Sequence, residues 1–281
     1  MSKYLVLPPH LHKVADAAET LIKLKLGLKD TQIEKPIDSS IGLEPTLHWK
    51  TNLGYVICEV AERPQPVSVS TAYQDIVSSG LPVKVIVAFP ASLSISPADY
   101  IKESNKAKKS GLGLLSINDD DTGDFQHRGI DISLYLAEPS LTQFNKLLRA
   151  GIESAYGVYI NGDPVQGVQA IGQMVEQILG NLAEQAKKSG KLTSGRFVSK
   201  DKFYSFASLV DDFTKDKILD NAILGRCRGF VEDRNKTSHK PTSLAKAKKL
   251  HQDLKNAWLG GLRILAELPD ALKAKGYKFK L

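Results

Sequence analysis

Three short apolar segments separated by helical patterns constrain the fold of this chain more than any other feature. The segments are YVICEVAE (55–62), VKVIVAFP (83–90) and LGLLSI (112–117), each rich in strand-forming residues and too short for a helix. Residues 69–79 and 97–111 lie between them and have helical patterns. Alternation of this kind is typical of α/β folds. We therefore predict an α/β fold for this part of the chain.

The segments before and after these strands extend the same prediction. HKVADAAETLIKLKLG (12–27) has apolar residues close to the helical period, and Gly27 is positioned to end that helix. Extended pieces are predicted around 32–41 and 46–49. The acidic stretch NDDDTGD (118–124) is predicted to be a solvated loop, since nothing after it completes a calcium-loop spacing.

The second part of the chain has helical patterns throughout. An amphipathic helix is predicted at 140–154, and the turn-forming stretch GVYINGDPVQG (157–167) follows it. We therefore predict two domains, residues 1–160 and residues 161–281. The second domain is predicted to be an antiparallel helical bundle, because short connections join its long amphipathic helices. One such helix carries an apolar stripe at Val168, Ile171, Val175, Ile178, Leu179 and Leu182, and another begins after Pro241.

Composition is that of an ordinary globular protein, with 42% hydrophobic and 25% charged residues. Apolar runs are far shorter than a membrane span requires, and the N-terminus has no signal-peptide pattern, so we predict a cytoplasmic protein without membrane contacts. The two cysteines, Cys58 and Cys227, lie in apolar stretches and are predicted to be buried thiols, which excludes a zinc finger.

Positive charge is concentrated in the second domain. Residues 1–160 hold 16 Lys and Arg against 18 Asp and Glu, whereas residues 161–281 hold 22 against 13. A local basic excess suits a phosphate-binding surface, because each phosphate that a cation neutralises releases counterions. A solvated, lysine-rich helical surface accounts for the same numbers.

The segment RNKTSH (234–239) ends one of the predicted helices. Leu219, Ile223, Cys227 and Phe230 form an apolar stripe, and Arg234 is four residues beyond its last member. The guanidinium of Arg234 is therefore predicted to leave the helix on its packed face, where an arginine is costly unless it meets an anion. His239 follows five residues later, before Pro241 and the predicted cap Ser243.

This segment resembles the Arg-x4-6-His signature of HEPN domains, in which a polar residue, often Asn, follows the arginine. The resemblance covers about two fifths of the chain. It implies an all-α domain that dimerises with two Arg/His pairs facing each other, and a metal-independent endoribonuclease without a cofactor. On matching positions, Arg234, Asn235 and His239 are the implied catalytic residues.

These residue types suit RNA cleavage without a metal. His239 can relay protons near neutral pH, and Arg234 can stabilise charge on the phosphorane. The reaction would need the ribose 2′-OH, which makes RNA the expected partner and DNA a non-substrate. Neighbouring lysines are candidate contacts to the RNA backbone, namely Lys236, Lys240, Lys246 and Lys249.

The element order of the first domain resembles the core of PD-(D/E)xK restriction endonucleases. That resemblance implies a metal site in which Asp38 or Glu44 is the first acid and Glu59 the second. The position two after Glu59 is Ala61 instead of the lysine of the motif, and Lys84 or Gln74 would have to replace it. We therefore predict a degenerate endonuclease-like domain that senses a signal or binds a partner.

Together these observations predict a two-domain α+β protein that acts as a homodimeric endoribonuclease. By analogy it is a toxin or anti-phage defence effector, with a regulatory partner such as an antitoxin bound through the first domain. Three alternatives stay open. In the first, the protein is a nucleic-acid or nucleotide-binding adaptor, and in the second it is a metal-dependent DNA nuclease. In the third, Arg234 merely caps its helix and pairs with Glu232 or Asp233, while His239 ends the turn.

Overall fold

The structure is a computed structural model, and the chain is mixed α+β, as the sequence predicted. The structure describes residues 3–38, 41–92, 95–199 and 205–281. Within these ranges no helix combines the length and the apolar character that crossing a bilayer requires.

The chain folds into two compact units, and neither is a single continuous segment. The first unit contains all the strands of the sheet, and most helical residues after Glu138 belong to the second. The first unit comprises Met1–Ala137, Ile160–Asp163 and Pro241–His251, and the second comprises Glu138–Tyr159, Pro164–Lys240 and Gln252–Leu281.

A mixed sheet forms the centre of the first unit, and its strands lie side by side in sequence order. The three predicted apolar segments form its parallel middle, while the outer neighbours pair antiparallel. Burial on both faces explains why the middle strands are almost continuously apolar. Within the described residues the strands are β1 (Gln32–Ile33), β2 (Leu47–Lys50), β3 (Tyr55–Val60), β4 (Val83–Pro90), β5 (Gly113–Ile117) and β6 (Gly123–His127).

Helices cover both faces of this sheet. α1 (His12–Leu26) packs on the face that carries Cys58 and Ile86. α2 (Val67–Ser79) and α3 (Pro97–Lys109) pack on the face that carries Ile57 and Val85. Alternate residues of one strand therefore face different helices, as the period of two requires.

The predicted end of α1 is confirmed at Gly27. This residue has a φ of 65°, and its N–H donates to the carbonyl of Lys23. A left-handed residue at this position ends a helix while satisfying a terminal carbonyl, and glycine adopts it without steric cost.

The acidic stretch 118–124 is only partly the loop that the sequence predicted. Residues 118–122 form a tight turn in which the N–H of Asn118 donates to the carbonyl of Thr122 at 2.8 Å. Strand β6 then begins at Gly123 and pairs antiparallel with β5. This strand was missed because its residues alternate between exposed and partly buried positions and include Asp124, so its apolar content is low.

In the described residues after 137, five helices contain most of the chain, and they confirm the helical patterns predicted from the sequence. The predicted stripe from Val168 to Leu182 is fully buried. Trp258 is also buried, with its ring centroid 4.8 Å from that of Tyr159. The helices are α4 (Lys146–Ile160), α5 (Pro164–Lys188), α6 (Phe206–Lys215), α7 (Asn221–Lys236) and α8 (Leu244–Ala274).

The start of α4 differs from the prediction by six residues. The side chain of Asn145 accepts a hydrogen bond from the N–H of Leu147 at 3.0 Å and so caps the helix. The helix then continues through Gly157 to Ile160, and only residues 161–163 separate it from α5. Pro164 starts α5, where its missing N–H has no cost.

Both cysteines are buried free thiols, as predicted. Burial raises the pKa of the Cys58 thiol and raises the pKa of Cys227 to about 12. Both are therefore weak nucleophiles at neutral pH.

Two glycines of α5 provide a test of the packing in the second unit. A Cβ at Gly167 would lie 2.7 Å from the Cβ of Tyr159 and 3.0 Å from the carbonyl oxygen of Ala155, whereas a Cβ at Gly180 would meet nothing within 4 Å. We expect Gly167→Ala to lower the free energy of unfolding by about 1 to 3 kcal/mol. Gly180→Ala should leave it unchanged or raise it by up to about 1 kcal/mol. Urea denaturation measures both, and equal effects would contradict the packing described here.

Candidate functional site

Helix α7 has the rotational phase that the sequence predicted. Ile223, Cys227 and Phe230 are buried on one face, and Arg234 continues that face with its side chain 21% exposed. The buried stripe therefore directs the guanidinium of Arg234 toward the interior of the second unit and not toward bulk solvent.

The guanidinium of Arg234 meets an anion and two aromatic rings. Its Nη1 lies 2.7 Å from Oε1 of Glu176 on α5. Its Cζ lies 5.9 Å from the ring centroid of Phe206 and 6.0 Å from that of Phe230, within the range of cation–π attraction. The alternative, in which Arg234 pairs locally with Glu232 or Asp233, does not hold among the described residues: Arg234 forms its ion pair with Glu176, and Asp233 pairs with Lys236.

Gly172 of α5 gives Arg234 the room to lie there. A Cβ at this position would come 2.5 Å from Nη1 of Arg234 and 3.1 Å from its Cδ. One Nη1 contact leaves most of the five guanidinium donors available. The arrangement is a cation held in place by its surroundings that can still donate to a second anion.

The C-terminal end of α7 is closed by hydroxyl groups. Thr237 Oγ1 donates to the carbonyl of Arg234 at 2.7 Å, and Ser238 Oγ donates to that of Asn235 at 2.6 Å. His239 follows directly and is exposed. Within the described part of the chain, no hydrogen bond or ion pair joins His239 to Arg234.

The other polar residues around this helix end are also at the surface. Asn235 is exposed in the last turn of α7, and Lys236 pairs with Asp233 at 2.9 Å. Lys240 is exposed beyond the helix end. Lys246 and Lys249 are exposed in the part of α8 that belongs to the first unit.

Glu59 occupies a separate polar position in the first unit. It shares the face of β3 that α2 covers, where Ser68 Oγ donates to its Oε1 at 2.6 Å and the N–H of Thr46 donates to its Oε2 at 3.2 Å. Burial raises the pKa of Glu59, and the bonds from Ser68 and Thr46 oppose that shift only in part.

The other candidate acids do not combine with Glu59 into a three-ligand metal site. No group of three His, Cys, Asp or Glu side chains suitable for a metal occurs in the described residues. Glu44 is exposed, and Asp38 is partly buried, with its carbonyl accepting from the N–H of Ile41 at 3.1 Å.

Lys84 is wrong as a replacement for the lysine of the endonuclease motif. Lys84 is two residues before Ile86 on β4 and so shares the α1 face with it, whereas Glu59 is two residues after Ile57 and shares the opposite face. Gln74, the other candidate, is exposed on α2.

A polar cluster around His251 was missed by the sequence reasoning. Its Nδ1 lies 2.7 Å from Ser133 Oγ, and its Nε2 lies 3.3 Å from Asp131 Oδ2. These three groups tie the start of α8 to the 3₁₀ turn Ile132–Leu134 of the same unit. Helical spacing could have predicted that His251 is buried, because it is four residues after the buried Ala247 and so lies on the apolar stripe of α8.

Comparisons with known proteins return no match of this chain to a family model, to a curated protein or to a solved structure. The candidate site therefore rests on the geometry and chemistry of its own residues.

The raised pKa of Glu59 makes stability depend on pH in a definite direction. A carboxyl whose pKa is higher in the folded state contributes stability below its unfolded pKa, and that contribution is lost as pH rises through the folded pKa. Gln keeps the acceptor oxygen for Ser68 or Thr46 but carries no charge. We therefore expect Glu59→Gln to gain stability relative to wild type as pH rises from 4 to 8, by about 1.4 kcal/mol for each unit of the shift.

Denaturant melts of both proteins at several pH values measure this difference. Glu44→Gln is the matched control, because Glu44 is exposed. A pH-independent difference between Glu59→Gln and wild type would contradict the buried, neutral-favouring environment of Glu59.

Proposed function

We propose that this protein is a metal-independent endoribonuclease in which Arg234, Asn235 and His239 act on the scissile phosphate. As in the HEPN domains that the segment 234–239 resembles, the site is composite, and a second protomer supplies the facing Arg/His pair. The second unit is then a HEPN-like helical domain.

The observation that carries this proposal is the position of the Arg234 guanidinium. It lies on the packed face of α7 against Glu176 and two phenylalanine rings, and the exposed His239 follows the end of the same helix. Phosphate-ester cleavage without a metal requires a fixed cation with spare donors and a solvent-accessible imidazole, and this segment supplies both within six residues. Neighbouring contacts hold Arg234, so little reorganisation is needed when charge develops on the phosphate.

Each residue has a definite role in this reaction. His239 takes the proton of the ribose 2′-OH or gives a proton to the leaving 5′-oxygen, and the facing histidine of the second protomer performs the complementary transfer. Arg234 donates to the non-bridging phosphate oxygens as they gain charge. Asn235, exposed one residue after Arg234, hydrogen-bonds to the phosphate or orients the guanidinium.

The charge distribution supports an RNA substrate. The surplus of nine positive charges in residues 161–281 supplies affinity for the phosphate backbone without sequence preference. Lys236, Lys240, Lys246 and Lys249 are exposed and are the proposed contacts to that backbone. Lys236 would exchange its ion pair with Asp233 for a phosphate contact.

The first unit is proposed to be a degenerate PD-(D/E)xK-like scaffold with a regulatory role. The run of α1, an antiparallel β2–β3 pair, α2 and parallel β4 supports this resemblance. Ala61 stands in place of the motif lysine, and Lys84 lies on the wrong face of the sheet to replace it. A domain of this kind, attached to a ribonuclease, suits a toxin or an anti-phage effector that a partner controls.

Cleavage of total RNA by the purified protein in excess EDTA tests the proposed chemistry. Arg234→Ala and His239→Ala should each lower the rate by about 100-fold or more, because each removes a group that acts in the transition state. Arg228→Ala is the matched control on α7, since Arg228 is exposed and pairs with Asp211. His10→Ala is the matched control for an exposed histidine.

Two results would overturn the proposal. Cleavage that requires magnesium and survives both substitutions would move the chemistry away from α7. The second result is that wild-type protein binds RNA but does not cleave it, even at concentrations where light scattering shows a dimer. That result would favour the non-catalytic adaptor.

A substitution at Gly172 can displace the guanidinium of Arg234 while the arginine itself is kept. We expect Gly172→Ala to displace the guanidinium and lower the cleavage rate by about 10-fold, because small misplacement of a catalytic group is costly. Gly180→Ala on the same helix meets no neighbour and should keep the wild-type rate. Equal rates for the two variants would show that the packed position of Arg234 has no part in catalysis.

A further inference from the structure

Two cavities of the first unit adjoin at Lys84. One has a volume of about 350 Å³ and the other of about 420 Å³, and both are lined by Lys84 and Leu26. Volumes of this size suit a small organic ligand. Lys84, which both cavities share, lies near the start of β4 on the α1 face of the sheet, and Glu59 lies on the opposite face.

Lys84 is a partly buried cation on β4. Among the described residues its ammonium makes no hydrogen bond or ion pair. Burial lowers the pKa of Lys84, and the charge of Arg128 lowers it further, while Asp131 opposes the shift. An ammonium in such a place is stabilised by any anion that reaches it.

The smaller cavity contains two further cations. Lys25 and Arg128 are exposed at its rim and, like Lys84, form no ion pair within the described part of the chain. Asp124 is the one carboxylate among the described residues that line it. Three cations against one carboxylate leave this cavity positive, which favours a ligand with more than one negative charge.

The larger cavity offers a different chemistry. Its carboxylate, Asp131, lies 3.3 Å from Nε2 of His251 and is therefore partly engaged. Leu53, Tyr55 and Val56 supply apolar surface, and Asn52 supplies an amide. A ring system with hydrogen-bonding edges suits this lining better than a second anionic group.

We propose that these adjoining cavities bind a phosphorylated small molecule of nucleotide size. Its phosphate lies among Lys25, Lys84 and Arg128, and its organic part lies in the larger cavity beside Tyr55. A phosphate is favoured over a carboxylate because it carries two charges and can accept from the fork of Arg128 and from Lys84 together. The site is independent of RNA cleavage, since it uses no residue of α7.

Calorimetric titration of the full-length protein in EDTA tests this proposal, with AMP, ATP and inorganic phosphate as probes and adenosine as the neutral comparison. We expect at least one nucleotide to bind, and adenosine to bind at least 10-fold more weakly than that nucleotide. Lys84→Met should weaken binding by at least 10-fold, and Arg128→Gln by several-fold. Lys102→Met on α3 is the matched control and should leave the affinity unchanged, because Lys102 is exposed on the opposite side of the sheet.

Thermal melting separates loss of the site from loss of the fold. Lys84→Met should melt at or above the wild-type temperature without ligand, because it removes a charge that burial disfavours. Addition of the nucleotide should raise the melting temperature of the wild-type protein but not that of Lys84→Met. The proposal is overturned if none of the probes binds, if adenosine binds as well as the nucleotides, or if a folded Lys84→Met variant keeps the wild-type affinity.

Discussion

The buried stripe of α7 is the constraint on which the candidate site depends. Ile223, Cys227 and Phe230 must face the interior of the second unit, and their burial fixes the rotation of the helix about its axis. Once that rotation is fixed, Arg234 can only emerge beside α5, where Glu176 compensates its charge and Gly172 leaves space for it. The apolar core thus positions a polar group that would otherwise prefer solvent.

Pairing with Glu176 has two consequences for the chemistry of Arg234. It lowers the cost of partly burying a guanidinium, and it holds that guanidinium in one place, as the proposed reaction needs. In the proposed reaction a phosphate would therefore share the guanidinium with a carboxylate that is 38% exposed. The spare donors of arginine make this sharing feasible, and a lysine at this position, with its single charged centre, would not offer the same geometry.

The sequence predicted those parts of the fold that local patterns determine. The middle strands β3, β4 and β5 and the helix α5 were predicted because burial leaves almost continuous apolar runs or a clear helical stripe. Strand β6 and the start of α4 were not found, because a half-exposed edge strand and a side-chain cap at Asn145 leave weak signals.

The candidate site was predictable to a similar extent. The helical periodicity of α7 indicated the side of the helix on which Arg234 lies. Periodicity says nothing about which residue of another helix Arg234 contacts. Glu176 is 58 positions earlier in the chain, and only the packing of α5 beside α7 brings the two together. The cavities around Lys84 were equally hidden, because they combine residues from α1, β4 and the segment after β6.

The proposed reaction is cleavage of RNA through attack of the ribose 2′-OH, without a metal. The first measurement uses an RNA oligonucleotide in which the cleaved bond has been mapped. It is compared, in EDTA, with the same oligonucleotide carrying a single 2′-deoxy substitution at the nucleotide on the 5′ side of that bond. We expect the all-ribose oligonucleotide to be cleaved, with a 2′,3′-cyclic phosphate or 3′-phosphate end, and the 2′-deoxy oligonucleotide to stay intact at that bond. Equal cleavage of both oligonucleotides, or cleavage that appears only when magnesium is added, would contradict it.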